Sequence, residues 1–355
     1  MKNILRIFAV VVLLTVLSAP SAQAGNDERR GTAGASELLI NPWARSTGWG
    51  GVNISNVRGL DAMFGNVAGL AFVDNIEVAY SNTILYGGKS GLSSGASINT
   101  FGIGVRLFDA GVVGVYIMSM GFGDIDITRF DSPELGTNGT FSPSYMTINV
   151  GYAHSFTRSI HGGAVLKVVS ESTDNVSGSG FGIDAGIQYV TGENDELKFG
   201  ISLKNWGPSM SFDGTGLSLQ MVGTGGNDFT VETRRGEMEL PTCLNIGVSY
   251  DFLFDKWDQK LTIAGSFTSN AFLRDNYTLG FEYSLLKKFQ LRAGYIFQEG
   301  LWNDAAATAN NGICAGASVD IPLSKDEKTG ITLDYSYRTA SPLKGTHAIG
   351  ASFRF

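Results

Sequence analysis

The stretch Leu244-Asn245-Ile246-Gly247-Val248-Ser249-Tyr250-Asp251-Phe252 decides how this chain is read. Leu244, Ile246, Val248, Tyr250 and Phe252 fall on one face of an extended backbone. Asn245, Gly247, Ser249 and Asp251 fall on the other, because successive side chains of a strand point to opposite sides. The same period returns at Leu197, Phe199, Ile201 and Leu203 against Lys198, Gly200, Ser202 and Lys204. It returns again at Tyr277, Leu279, Phe281 and Tyr283, and at Ile331, Leu333, Tyr335 and Tyr337. A soluble sandwich alternates too, so the period alone does not choose between them.

Further features point to a membrane barrel. The runs extend for roughly ten to twelve residues, close to what a tilted membrane strand needs. From residue 75 onward there are about fourteen of them, an even number as in single-chain outer-membrane barrels. They fall near 75–86, 97–108, 111–123, 143–156, 159–170, 179–191, 196–206, 241–254, 259–268, 275–286, 288–298, 311–322, 329–339 and 345–355. Every second connection reads as tight, from Phe108 to Gly111, Phe156 to Ser159, Thr191 to Glu196, Phe254 to Gln259, Leu286 to Lys288 and Pro322 to Thr329. The others read as longer, above all 124–142, 207–240 and 299–310. The chain ends on a strand, Ala348 to Phe355, with a terminal aromatic like the insertion signal of outer-membrane barrels. Placing the tight turns in the periplasm puts that end there as well. Trp206, Trp257 and Trp302 fall near strand ends, where aromatic girdles lie. The expected fold is all-β, a monomeric transmembrane antiparallel β-barrel over residues 75–355, in the outer membrane and in contact with its lipid.

Composition agrees with this. Of 355 residues, 43% are hydrophobic and only 17% charged, against about 25% charged in ordinary soluble domains. Beyond the N-terminus no apolar run reaches the roughly 18 residues of a spanning helix. The 47 glycines keep no triplet period, which excludes collagen. A formal charge of −7 argues against a nucleic-acid partner. Arg106, Lys167, Asp184, Lys198, Asp251, Glu282, Arg292, Asp320, Asp334, Arg338 and Arg354 take the inward parity. They predict a polar lumen held by ion pairs, its remaining positions mostly Gly, Ser and Thr.

Residues 1–24 read as a signal peptide. Lys2 and Arg6 precede the apolar run Ile7 to Leu17, and Ala22-Gln23-Ala24 is a small-x-small cleavage site. Residues 25–74 do not alternate. Being apolar and lying before a polar barrel, they are expected to fold into the lumen as a hatch, with Trp43, Arg45, Trp49 and Asn66 as contacts and Arg45 paired inside.

Little in the chain suggests chemistry, and neither a cofactor nor a metal is expected. His154 and His161 flank one tight turn, but the parity of their strands sends the rings to opposite faces, and zinc would want further ligands. Gly91-Leu92-Ser93-Ser94-Gly95 matches G-x-S-x-G, a pattern that acts at a strand-to-helix elbow and here sits between strands. Cys243 and Cys314, the only cysteines, make no disulfide scaffold.

The N-terminal segment also carries a resemblance. The apolar run Glu37 to Ile40, Ala44-Arg45, the cluster Gly48 to Gly51, and Asn66 followed by Ala68-Gly69-Leu70-Ala71 resemble the PorV/PorQ family. These are outer-membrane barrels of the type IX secretion system in Bacteroidota, related in fold to the FadL transporters. Val67 stands where that family commonly has Pro. The resemblance implies a non-enzymatic role, binding the C-terminal domains of secreted cargo or other secretion-system proteins through external loops. Loop 207–240, with Met210, Phe212, Leu217, Leu219, Met221 and Phe229, is the candidate partner surface. The alternative expectation is FadL-like transport of a hydrophobic solute, which needs an apolar pocket in the lumen. An outer-membrane hydrolase is disfavoured, for want of a Ser/His/Asp set.

Overall fold

In the computed structural model, fourteen long strands close into one antiparallel barrel. The structure describes residues 27–87, 95–134, 136–222, 224–233, 236–254, 258–299, 301, 310–324, 329–341 and 343–355. The signal peptide, Gly91 to Ser94, Lys256, Trp257 and Trp302 lie outside the described residues, as does most of 299–310.

The strands are β1 (Ile76–Ile84), β2 (Ser97–Arg106), β3 (Val112–Gly121), β4 (Ser144–Ser155), β5 (Ile160–Thr173), β6 (Val176–Thr191) and β7 (Leu197–Trp206). They continue as β8 (Cys243–Phe254), β9 (Gln259–Asn270), β10 (Asn276–Leu285), β11 (Phe289–Gln298), β12 (Asn310–Pro322), β13 (Gly330–Ala340) and β14 (Thr346–Arg354). Each pairs with its neighbour in sequence, and β1 pairs with β14 from Glu77↔Arg354 to Ile84↔His347, which closes the ring. Closure leaves no unpaired edge, as a sheet in hydrocarbon requires.

Alternation sets the two faces. In β8, Leu244, Ile246, Val248, Tyr250 and Phe252 are exposed, while Cys243, Asn245 and Ser249 are buried. Exposed apolar side chains recur around the ring, and aromatic neighbours such as Phe267 and Tyr277 (centroids 4.9 Å apart) lie across strand pairs. An outward belt of this size is stable only against lipid. The protein is an outer-membrane barrel.

The strict alternation of short and long connections does not hold. β5 and β6 run past the expected 170 and 179 and meet at a two-residue turn, Asp174-Asn175, with Asp174 at φ 43°. Asp tolerates this left-handed conformation through its short polar side chain. The 271–275 and 341–345 connections at the same end of the barrel are also short. Length therefore concentrates in 122–143, 207–242 and 299–309.

One wall strand is broken. In β7, Asn205 takes φ 58°, and the register with β6 shifts between Ile183 and Ala185. The chain leaves the wall at Gly207-Pro208 and returns as Met210–Asp213, pairing with Ser177–Ser179 of β6. Proline donates no hydrogen bond to a ladder, so the interruption is local to its cause.

Candidate functional site

Residues 43–73 pack against the inward faces of the barrel strands. Short turns of helix, at Ser36–Leu39, Ala44–Thr47, Asn53–Ser55, Ala62–Gly65 and Val67–Phe72, fold the segment 36–72 without long-range period. The barrel admits it through its glycines. Gly104 and Gly114, Gly114 and Gly151, Gly200 and Gly247, and Gly280 and Gly294 are inward-facing register partners. A Cβ on Gly200 would stand 2.4 Å from the Ile54 carbonyl oxygen, one on Gly294 2.4 Å from that of Trp49, and one on Gly316 2.8 Å from Gly48 Cα. Any side chain at this level would displace hatch backbone. Glycine in a strand often marks such a close approach.

Polar contacts lock the seat. Asn66 donates through Nδ2 to the carbonyls of Ile54 (2.9 Å) and Ile187 (3.0 Å), and its Oδ1 accepts from the Ala68 N–H. It thus caps the turn Val67–Phe72 while binding β6. Arg45 Nε donates to Asp334 Oδ1 at 3.2 Å, with Asp320 Oδ2 3.9 Å from its NH2. Burial acts to lower the Arg45 pKa, but Asp334, Asp320 and Glu282 more than reverse this and hold it above its ordinary value. Around it the wall continues the network, with Arg292 2.6 Å from Glu282 and Arg354 3.1 Å from Asp320. Asp61 accepts from Ser46 Oγ at 2.6 Å; burial raises its pKa to about 6, against that hydrogen bond. A cavity of about 40 Å³ here, lined by Trp43, Arg45, Arg58, Asp61, Glu77 and Asp334 among others, has room for water and none for a solute.

On the β2–β4 side the lumen carries an apolar tract beside the buried polar Thr100, Thr147 and Asn149. Inward-facing Ile98 of β2 and Tyr116, Met118 and Met120 of β3 are buried against Leu85 and Trp43, with Ile40 packed beside them. Trp43 meets Tyr116 edge to face at 5.9 Å. Toward the long-loop end the tract continues through partly buried Tyr86, Ala96, Phe122 and Tyr145. The tract is a local exception to inward faces that elsewhere carry Gly, Ser and Thr, as at Ser202, Ser249, Thr262 and Ser336. Trp49, by contrast, packs with Val52 and Ala264 in a small separate cluster.

The candidate loop residues divide. Met210 is buried with Leu240, Val169, Ala35 and Leu38, and Phe212 packs against that cluster, so neither is free on the outside. Leu217 is half-buried. Ser218–Val222 and Asp228–Glu232 form a separate hairpin in which Leu219 pairs with Val231 and Met221 with Phe229. These four share one face and are 59%, 38%, 51% and 49% exposed.

His161 is buried, shares a 2.8 Å hydrogen bond with Ser155 Oγ and packs on Phe72, while His154 lies on the outward parity against Phe156. Among the described residues no group of three His, Cys, Asp or Glu gathers, and both cysteines are free and buried. The buried pair Lys167–Asp184 (2.7 Å) and the pair Lys198–Asp251 (2.6 Å) brace strands from inside. Lys167 also donates to Asn205 Oδ1 at 2.7 Å, and the Asn205 N–H to Asp184 Oδ1 at 2.7 Å, so both members of the pair hold the strand break. Sequence reading placed the charges inside but not the break they stabilise.

No protein-family profile matches the chain, and no curated protein matches it either. Solved structures do. The Pseudomonas putida toluene transporter TodX superposes with a TM-score of 0.56 over 89% of this chain and 99% of its own, at 14% identity. A Pseudomonas aeruginosa FadL homologue superposes with a TM-score of 0.50 over 88% and 98%, at 11% identity. The fold is that of the FadL-family outer-membrane barrels. The narrower PorV/PorQ resemblance finds no support among these neighbours.

Proposed function

We propose that this barrel passes a small hydrophobic solute across the outer membrane. The observation that carries this reading is the apolar tract on the β2–β4 side, running from Phe122 and Tyr145 at the loop end to Met118, Tyr116 and Trp43 inside. These methionines and aromatics seat Trp43 and Ile40 of the hatch, and the same surface suits an apolar guest. Binding sites for apolar ligands are lined in this way, and methionine reshapes readily around a guest. Likeness in fold to a toluene transporter agrees with the reading. Ile40 and Trp43 fill the tract here, so a solute enters by displacing them. The test is uptake of a labelled monoaromatic hydrocarbon and of a long-chain fatty acid by cells with and without the gene. Faster uptake of either with the barrel supports the reading; equal uptake of both counts against it.

A second reading, partner binding in type IX secretion, has one observation in its favour. The face formed by Leu219, Met221, Phe229 and Val231 stands exposed on a two-stranded ribbon, and such ribbons are marginal alone. Under this reading loss of the protein changes the secreted proteins and leaves solute uptake intact.

A further inference from the structure

The first described residues do not lie near the start of β1. Ala33 pairs in parallel with Glu239, the Gly34 N–H donates to the Glu239 carbonyl at 3.0 Å, and Arg29 is 2.5 Å from the Glu239 carboxylate and stacks over Phe272 at 4.4 Å. Glu239 and Phe272 belong to connections at the long-loop end. Residues 27–40 therefore form a strap beneath that end, and the hatch then descends the lumen to enter β1 at Ile76, at the opposite end. Ala35 and Leu38 fix the strap on Val169, Met210 and Leu240.

Between these apolar contacts the strap buries a carboxyl. Glu37 is 1% exposed, and neither of its oxygens receives a hydrogen bond from the N–H or O–H of another residue apart from its facing acid. It faces Glu171, near the loop end of β5, which is 8% exposed; one Glu171 oxygen is also without a partner, while its carboxylate accepts from the Ala35 N–H. The other titratable group near the pair is Tyr145 of β4, and Arg29 of the strap is engaged by Glu239. Three orphaned oxygens on two facing acids have one economical remedy, a proton on one carboxyl donated to the other. Two bare carboxylates would repel in a site that water does not reach.

We propose that Glu37 and Glu171 form a proton-operated latch, which holds the strap against the wall when one proton is shared and releases it when that proton is lost. Burial, then the neighbouring Glu171, raises the Glu37 pKa to about 7. A folded-state pKa above the ordinary carboxylate value means that docking is tightest in acid and weakens as pH rises through that point. Release frees Ala35 and Leu38 from Met210 and Leu240 and opens the loop end above the hatch. The latch stands whichever solute or partner the barrel serves.

Hydrogen exchange on the full-length purified barrel, corrected for the intrinsic pH dependence of amide exchange, tests this at about pH 5.5 and about pH 8.5. The wild-type strap peptide should lose protection by about thirtyfold between the two, while β10 and β11 peptides stay unchanged. Glu37→Gln, whose amide donates to Glu171 at any pH, should keep the strap protected throughout. Glu171→Gln should also flatten the response. Equal wild-type protection at both pH values, or a Glu37→Gln strap that follows the wild-type curve, would overturn the latch. So would a strap kept closed at the higher pH by calcium and opened by chelator, because a metal would then be the bridging ion.

Discussion

Asn66 Oδ1 lies 2.1 Å from where a Cβ on Gly186 would stand. The hatch and the wall thus meet with no room for a single carbon, and the same closeness recurs at Gly200, Gly294 and Gly316. The plug is a packed part of the wall, seated by backbone contact on many strands.

Gly186→Val and Gly294→Val should each unseat the hatch. Overpacking of this kind costs roughly 1–3 kcal/mol or more, and both variants should expose residues 43–72 to protease in purified barrel. Gly265→Ala, where a Cβ meets nothing within 4 Å, should behave as wild type.

Lys167 and Asp184 make a buried pair beside the break in β7. Lys167→Met leaves Asp184 charged without its cation, and should destabilise the barrel by about 3–5 kcal/mol in denaturant titration. Lys167→Met with Asp184→Leu should recover much of that loss, since removing both charges also removes the cost of burying them.

Asp61 sets a pH dependence in the hatch. Because burial raises its pKa to about 6, the stabilisation from its protonated form is lost as pH rises through that value. Hatch thermal stability should therefore fall between about pH 5 and about pH 7.5, and Asp61→Asn should flatten part of this fall. An unchanged slope in the variant removes Asp61 from the account.

Replacing Leu219 and Phe229 by Asp leaves the fourteen barrel strands and the Phe355 end untouched. Such a variant should assemble normally and take up hydrophobic solute at the wild-type rate. A changed set of secreted proteins in this variant would move the hairpin, and the protein with it, toward the secretion reading.

The fold was legible because half-buried strands alternate. β8 and β10 were bounded to within two residues on that pattern alone. The β5–β6 turn was missed because Ser170 to Gly180 is small and polar on both faces, which reads as loop although the ladder continues from Ser170↔Ser179 to Thr173↔Val176. The apolar tract was missed for the opposite reason. β3 reads Val-Val-Gly-Val-Tyr-Ile-Met-Ser-Met-Gly, apolar on both parities, so nothing in its period marks Tyr116, Met118 and Met120 as lumen-facing. The glycine seat did leave a signal, since Gly200, Gly247 and Gly280 all take the inward parity near mid-strand, where only a close backbone neighbour gives a bare Cα its purpose. Where Met210 and Glu37 lie depends on contacts between segments more than a hundred residues apart, and no local pattern records them.

The most direct measurement of the central claim is photo-crosslinking of a diazirine-bearing monoaromatic probe to the barrel in its native membrane, followed by peptide mapping. The account predicts labelling of inward-facing residues of the tract, at Tyr116, Met118, Phe122 or Tyr145, which an excess of unlabelled hydrocarbon competes away and Met118→Asp abolishes. Labelling confined to the outward faces, such as Ile117 and Ile148, and unchanged in Met118→Asp, would contradict it.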